Sequence, residues 1–325
     1  MPKFKRFRPY RLDQTVRDKY AEVRLTVKDF VQPYFVVEGA GIKHALKSLA
    51  GVWHFSIDEL LKELARLTET GLDKILLFGV LEKERKDARG SQAYAPNNLV
   101  ARAAAAVKRA YPALTVITDI CLCGYTDHGH CGLTDGQNVL NDETLPLLAA
   151  MAVTHARAGA DIVAPSAMQD GQVAAIRAAL NKAACARTKI MGYSVKYASS
   201  LYSPFREAAQ SAPAFGDRRS YQMDYRNASQ ALLETAADIE EGADIVMVKP
   251  AHAYLDIIQR VKARFPQMPL AAYHTSGEYM LIKAAAQAGF CDELQTAREI
   301  LTAIKRAGAD WLITYYARAF AECLL

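Results

Sequence analysis

No apolar run in this 325-residue chain is long enough to cross a bilayer. The longest, LPLLAAMAV at 145–153, falls far short of the roughly 20 residues that a membrane helix needs. The opening MPKFKRFRPYRLD has no apolar core and no small-residue cleavage site, so a secretory signal is not expected. Its basic residues would suit a mitochondrial presequence, but it lacks serine and carries Asp13. Without a signal, the six cysteines point to a reducing, cytoplasmic setting, where clustered cysteines bind metal or react more often than they pair. Also missing is any GxGxxG after an early strand-like run, which weakens a dinucleotide-type open sheet.

What is present is ordinary in bulk, with 51% hydrophobic and 23% charged residues. That balance fits a soluble domain with a sizeable core, and single α/β barrels reach this length. The net charge of +5 is unevenly spread: residues 1–28 hold nine Lys/Arg against Asp13, Asp18 and Glu22. Their surplus of six leaves the rest of the chain near −1. A basic arm can contact nucleic acid or an anionic surface. With no aromatic-basic alternation after it, packing of residues 1–30 on a partner subunit is the preferred reading.

Eight short apolar runs recur: PYFVVEG (33–39), KILLFGV (74–80), LTVITDI (114–120), DIVAPS (161–166), KIMGYS (189–194), DIVMVKP (244–250), PLAAYH (269–274) and DWLITYY (310–316). Their continuous apolar character fits parallel strands covered on both faces. Between them lie stretches with helical spacing. In SIDELLKELARLTETG (56–71), Ile57, Leu60, Leu61 and Leu64 share a face, with Ser56 as N-cap and Gly71 as the stop. GLD at 71–73 and GAD at 159–161, 242–244 and 308–310 each close a helix and lead into a strand. The expectation is a TIM barrel over residues 31–325, an α/β fold preceded by the arm. Catalytic groups then belong just past the C-terminal ends of strands.

Two lysines fall there, Lys196 after the fifth strand and Lys249 closing the sixth. Burial disfavours an ammonium, two neighbouring ammoniums repel, and a neutral amine can attack a ketone to form a Schiff base. Taken singly, either could be an ion-paired rim lysine.

After the third strand comes DICLCGYTDHGHCG (119–132). Cys121 and Cys123 lie on one side of an extended segment, and Cys131 can return through Gly129 and Gly132. Three thiolates suit Zn²⁺ with an open fourth position, whereas His128 or His130 as a fourth ligand would make the site structural. Cys185, Cys291 and Cys323 are read as small buried hydrophobes.

Together these features resemble the porphobilinogen synthases, or 5-aminolevulinate dehydratases, over nearly the whole chain. The resemblance rests on DICLCGYTDHGHCG, APSAMQDGQV (164–173), YSVKYASSLYSPFREA (193–208), GDRRSYQMD (216–224), VMVKPAHAYLD (246–256) and SGEY (276–279). Siblings often use an aspartate-rich 119–132 segment, so this sequence is similar to the zinc-dependent branch. The resemblance implies condensation of two 5-aminolevulinate molecules into porphobilinogen, with loss of two waters, on the route to heme. It implies that Lys249 forms a Schiff base with the first-bound, P-side substrate and Lys196 one with the A-side substrate. Zinc would sit on Cys121, Cys123 and Cys131, with His128 and His130 outside its shell, and would polarise the A-side substrate or activate a water. Asp119 would orient that water or take a proton. Arg206 and Arg218 would hold the A-side carboxylate with Gln222, and Ser276 and Tyr315 the P-side carboxylate. Tyr193, Ser166, Phe205 and Tyr273 would line the cavity.

Glu234 matches a glutamate that binds an allosteric Mg²⁺ through water in relatives. Family members are commonly octamers whose arms embrace a neighbouring barrel, so the expected partners are 5-aminolevulinate and further copies of the chain, with no nucleic acid and no membrane. Residues 198–222, rich in Ser, Ala, Pro and Gly, are too long for a simple βα turn and are read as a lid carrying both arginines. His274-Thr275, Ala167 and Gln169 depart from the family pattern without removing an assigned role. The competing readings are a class I aldolase for another carbonyl substrate, and a zinc-containing nucleic-acid-binding protein.

Overall fold

Apolar strands joined by helical crossovers make a parallel sheet with two faces to cover, and here the sheet closes on itself. The computed structural model describes residues 4–324, which leaves Lys3 of the basic arm outside the described residues. Its barrel strands are β1 (Phe30–Val36), β2 (Lys74–Gly79), β3 (Thr115–Ile120), β4 (Ile162–Pro165), β5 (Lys189–Lys196), β6 (Ile245–Lys249), β7 (Leu270–Tyr273) and β8 (Trp311–Ile313). Each pairs in parallel with the next. β8 returns to β1 through Phe30↔Leu312 and Val31↔Ile313, so the expected TIM barrel is closed. The first strand starts at Phe30 rather than 33, and the last ends at Ile313 rather than 316. Tyr315 and Tyr316 have already left the ladder there and turn into the C-terminal helix.

The covering helices are α1 (Ile57–Glu69), α2 (Leu99–Ala110), α3 (Asn141–Arg157), α4 (Gln172–Lys182), α5 (Gln230–Glu240), α6 (Leu255–Arg264), α7 (Ser276–Gln287), α8 (Glu293–Arg306) and α9 (Ala317–Cys323). α1 buries Leu60, Leu64 and Leu67, while Ile57 and Leu61 are only half-buried. Ser56 does sit at its N-cap, but the hydroxyl accepts from the Ile42 amide at 2.9 Å and donates to Asp58 at 2.5 Å. Gly71, Gly159, Gly242 and Gly308 all hold positive φ, as helix-ending glycines do.

The β1–β8 seam is braced by Glu63 of α1, a buried carboxylate that accepts from Lys43 at 3.1 Å and from Arg318 of α9. Two short strands, Lys43–Ala45 and Trp53–Phe55, add a flap beside β1, and a ribbon of Leu133–Thr134 and Val139–Leu140 lies in the β3–α3 loop. Neither was legible in the sequence, because two- and three-residue strands carry no period. The reading of the outlying cysteines is corrected: Cys185 and Cys291 are half-exposed in loops and Cys323 is exposed, since each falls at or beyond a helix end. In the arm, Asp13 caps a helix over Gln14–Tyr20, and Phe4, Phe7, Tyr10, Leu12 and Tyr20 are all more than half exposed.

Candidate active site

β5 and β6 end side by side, with Lys196 and Lys249 as register partners. Strand periodicity alone would send Tyr193 and Lys196 to opposite faces, because they are three apart. The ladder shifts between Val246 and Val248, with Tyr193 and Ser194 opposite the single residue Met247. This bulge turns the end of β5 so that both groups face the interior. The Tyr193 ring then lies 5.6 Å from Lys196 Nζ and 5.2 Å from Lys249 Nζ.

The two amines have different surroundings. Lys196 donates to the Ser166 carbonyl at 2.6 Å. Lys249 is caged by rings, 4.1 Å from Tyr273, 5.1 Å from Phe205 and 5.3 Å from Tyr202. Burial pushes the Lys249 ammonium down to about 7, the Lys196 charge pushes the same way, and Asp119 and the nearby thiols offset part of this. The result is an amine that is substantially neutral near pH 7. Asp119, at the end of β3, is driven up to about 6 by burial and by Cys123, against the Ser166 hydroxyl and the two lysines. Its Oδ1 is buried without a partner.

Beyond Asp119 the chain brings Cys121, Cys123 and Cys131 together, all buried, with sulfurs within 4.8 Å of one another. Among the described residues, this is the one such group of three. Hydrogen bonds from the other two thiols hold Cys131 below the ordinary thiol range, helped by Arg218 and Lys196, while the same sharing pushes Cys121 up. Three soft sulfurs converging beside two cations form a set that can hold a metal ion. Neither histidine joins it. His130 Nε2 donates to the Phe215 carbonyl at 3.0 Å, which leaves Nδ1 to accept from the Tyr221 hydroxyl at 3.2 Å. His128 is held by the Ala88 carbonyl at 3.3 Å and the His130 amide at 3.1 Å.

A cleft of about 570 Å³ opens over the barrel mouth, lined by Arg206, Arg218, Arg219, Gln222 and Tyr254 among others. Arg218 is anchored on the carbonyls of Gly129 at 2.9 Å and Ser211 at 2.5 Å, and its Nε is buried and unpaired. Arg206 Nε and both amide atoms of Gln222 are likewise unpaired. Burial, with Arg218 adding to it, lowers the Arg206 guanidinium from its ordinary range. Unspent donors of this kind suit a carboxylate. At the lysine cage, the Tyr273 and Tyr315 hydroxyls are 3.4 Å apart, and Ser276 at the start of α7 accepts from the Phe205 amide at 3.0 Å. Gly277 lets that helix meet the 198–222 segment closely, since a Cβ there would lie 2.5 Å from the Leu201 carbonyl oxygen.

Lys196, Lys249, Asp119, Ser166, Tyr193, Phe205, Tyr273, Tyr315 and the three cysteines thus share one end of the barrel. Glu234 does not. It sits on α5 in another pocket, of about 150 Å³, with Asp170, Gln172, Asp238 and Glu241, which Tyr193 also borders, and accepts from Gln230 at 2.9 Å. Burial raises its carboxyl above the ordinary range and takes Asp238 to about 7. Sequence reasoning missed Tyr202, whose hydroxyl donates to the Tyr197 carbonyl at 2.6 Å and whose ring joins the lysine cage. It also missed Tyr221, whose hydroxyl donates to His130 Nδ1, and His54, whose Nε2 meets the Ala208 carbonyl at 2.6 Å. The aromatic spacing in YASSLYSPF was the one available signal for Tyr202.

A closed (β/α)₈ barrel with paired interior lysines and a thiol cluster at the C-terminal strand ends defines a class: a barrel lyase acting on carbonyl substrates through amine chemistry. The described residues include no helix long and apolar enough to cross a membrane. A family profile for delta-aminolevulinic acid dehydratase matches residues 4–323. The dehydratase of Bacillus subtilis (strain 168) is 49% identical over 321 residues, covering 99% of this chain and 98% of the relative. That of Synechococcus elongatus is 49% identical over 327 residues, covering 99% of each. A solved delta-aminolevulinic acid dehydratase (porphobilinogen synthase) of Toxoplasma gondii ME49, in complex with the reaction product porphobilinogen, superposes with a TM-score of 0.96 at 39% identity over 99% of this chain and 92% of that one. This chain belongs to the delta-aminolevulinic acid dehydratase family and is a lyase.

Proposed function

We propose that the protein condenses two 5-aminolevulinate molecules to porphobilinogen, with loss of two waters, in heme biosynthesis. The observation that carries this reading is the register pairing of Lys196 and Lys249 around one tyrosine ring beside three convergent thiols. An aldolase for another carbonyl would need one such lysine, and a nucleic-acid-binding protein neither.

In this reading the neutral Lys249 amine adds to the ketone of the P-side substrate, and water leaves as the Schiff base forms. Ser276 and Tyr315 hold that substrate's carboxylate, while Phe205 and Tyr273 exclude water around the adduct. Lys196 forms the second Schiff base with the A-side substrate, and Tyr193 keeps the two amines apart. Arg206, Arg218 and Gln222 hold the A-side carboxylate with the donors they leave unpaired. Asp119, poised near pH 6, takes and returns a proton at Oδ1, and Ser166 orients it. Cys121, Cys123 and Cys131 would hold the ion, and the choice of zinc rests on the softness of an all-sulfur set. When bound there, zinc supplies Lewis acidity toward the A-side substrate and an acidified water.

The carboxylates of Asp170, Glu234, Asp238 and Glu241 around one pocket support a hydrated Mg²⁺ as allosteric ligand. Residues 198–222 form a lid that completes the A site on closure. The arm over residues 1–30, with its exposed aromatic and basic side chains, packs against a second copy in an octamer built from dimers. The cell compartment in this reading is the cytoplasm.

Borohydride trapping tests the proposal. Incubation with 5-aminolevulinate followed by reduction should leave adducts at Lys249 and, during turnover, at Lys196. No adduct with this substrate defeats the reading. Porphobilinogen formation should vanish on chelation and return with zinc, and full activity in the stripped protein would remove the metal from the mechanism while leaving the lysines in it.

A further inference from the structure

Donors from three separate barrel loops converge on the carbonyls of residues 208–215, in the middle of the proposed lid. His54, on the flap strand Trp53–Phe55, lies with Nε2 2.6 Å from the Ala208 carbonyl oxygen. A carbonyl can only accept, so His54 carries its proton on Nε2. Lys86, from the loop after β2, donates to the Gln210 carbonyl. On the far side the Ala214 amide donates to the His128 carbonyl at 2.9 Å, and His130 to that of Phe215. Gln210 stands at φ +47°, where a glycine would be the usual helix-ending residue. The turn after the lid helix Ser203–Ala208 is therefore held in a conformation that its own residue disfavours. Arg206 belongs to that helix, and Arg218 hangs from the Ser211 carbonyl directly after the turn. Neither His54 nor Lys86 belongs to the amine cage or the thiol cluster.

We infer that His54 and Lys86 are positioning residues: by donating to the Ala208 and Gln210 carbonyls they latch the lid helix to the barrel and so set Arg206 and Arg218 for the A-side carboxylate. This rests on the lid reading above. A single hydrogen bond of ordinary strength corresponds to about a fivefold effect.

Two pairs of variants test the latch: His54→Phe and Lys86→Met remove a donor, whereas His54→Gln and Lys86→Arg keep one. His54→Phe and Lys86→Met should each raise the substrate concentration for half-maximal rate about fivefold, with a smaller fall in kcat. Both should also be cut faster within 203–221 by limited proteolysis without substrate, and the donor-keeping variants should restore both properties. Equal behaviour of donor-free and donor-keeping variants overturns the latch, as does a weakened apparent affinity with unchanged proteolysis. If the unsubstituted protein is cut equally with and without 5-aminolevulinate, the lid reading itself fails. If substrate protects it, and His54→Phe and Lys86→Met match it in cleavage and kinetics, the latch alone fails.

Discussion

Lys249 illustrates how a single side chain trades stability for chemistry. Its ammonium titrates near 7 in the folded chain, against an ordinary 10.5. Between those values the unfolded chain binds a proton that the folded chain does not, so stability rises with pH across that window. The cost of burying this lysine is thus greatest at and below pH 7 and fades toward pH 10. Lys249→Met should reduce turnover by more than about 10³-fold, equivalent to some ~4 kcal/mol of transition-state stabilisation. It should unfold at a higher temperature than the parent at pH 7, by a margin that shrinks as pH rises toward 10; thermal melts across pH would show this. For the parent, kcat/KM should climb as pH rises through about 6 to 7, as Asp119 ionises and Lys249 loses its proton. A flat profile there would remove both groups from the rate-determining steps.

At the scale of elements, two contacts decide how helices meet the barrel. Gly277 opens α7 against the Leu201 backbone, where an alanine Cβ would intrude to 2.5 Å from the carbonyl oxygen. Gly277→Ala should push the Leu201 backbone away from Ser276 and raise the half-saturating substrate concentration more than it lowers kcat. Glu63 ties α1 to Lys43 and to Arg318 of α9 while 4% exposed. Glu63→Gln should cost about 2–3 kcal/mol, because two cations lose a charge-assisted partner at a buried site. Chemical denaturation at pH 7 measures it. Of these elements α1 was visible in the sequence through its apolar face, while SGEY at the start of α7 was read only as a family motif. What they touch was not visible, since Leu201 and Arg318 are 76 and 255 residues away from Gly277 and Glu63 respectively.

For the whole molecule, the start of the arm carries a run of apolar side chains that find no cover on its own barrel. Phe4, Phe7, Tyr10, Leu12 and Tyr20 are between 51% and 65% exposed, and Tyr10 and Tyr20 pack edge to face at 4.5 Å. Under the proposed assembly, such a surface is the part of the arm that a second copy would cover. Removing residues 1–20 should lower the assembly mass seen by light scattering while leaving the barrel's melting transition in place. An unchanged mass would release the arm from any role in assembly.

Local chemistry determined much of this protein from the sequence alone. Apolar runs separated by helical spacing and closed by glycine required a parallel, doubly covered sheet, because each signal acts within one turn or one strand. The two lysines and the start of the thiol cluster were legible for the same reason: Lys196 and Lys249 end their strands and Cys121 follows one directly. Only the tertiary structure decided what depended on register and distance. The extra residue in β5 put Tyr193 and Lys196 on one face, against the strand period. Distant tyrosines and lysines then formed one cage, His130 was drawn to the Phe215 carbonyl instead of the sulfurs, and Glu234 was left in a pocket that touches the cage only through Tyr193. Those outcomes follow from closure of the barrel, which brings together residues that no local rule connects.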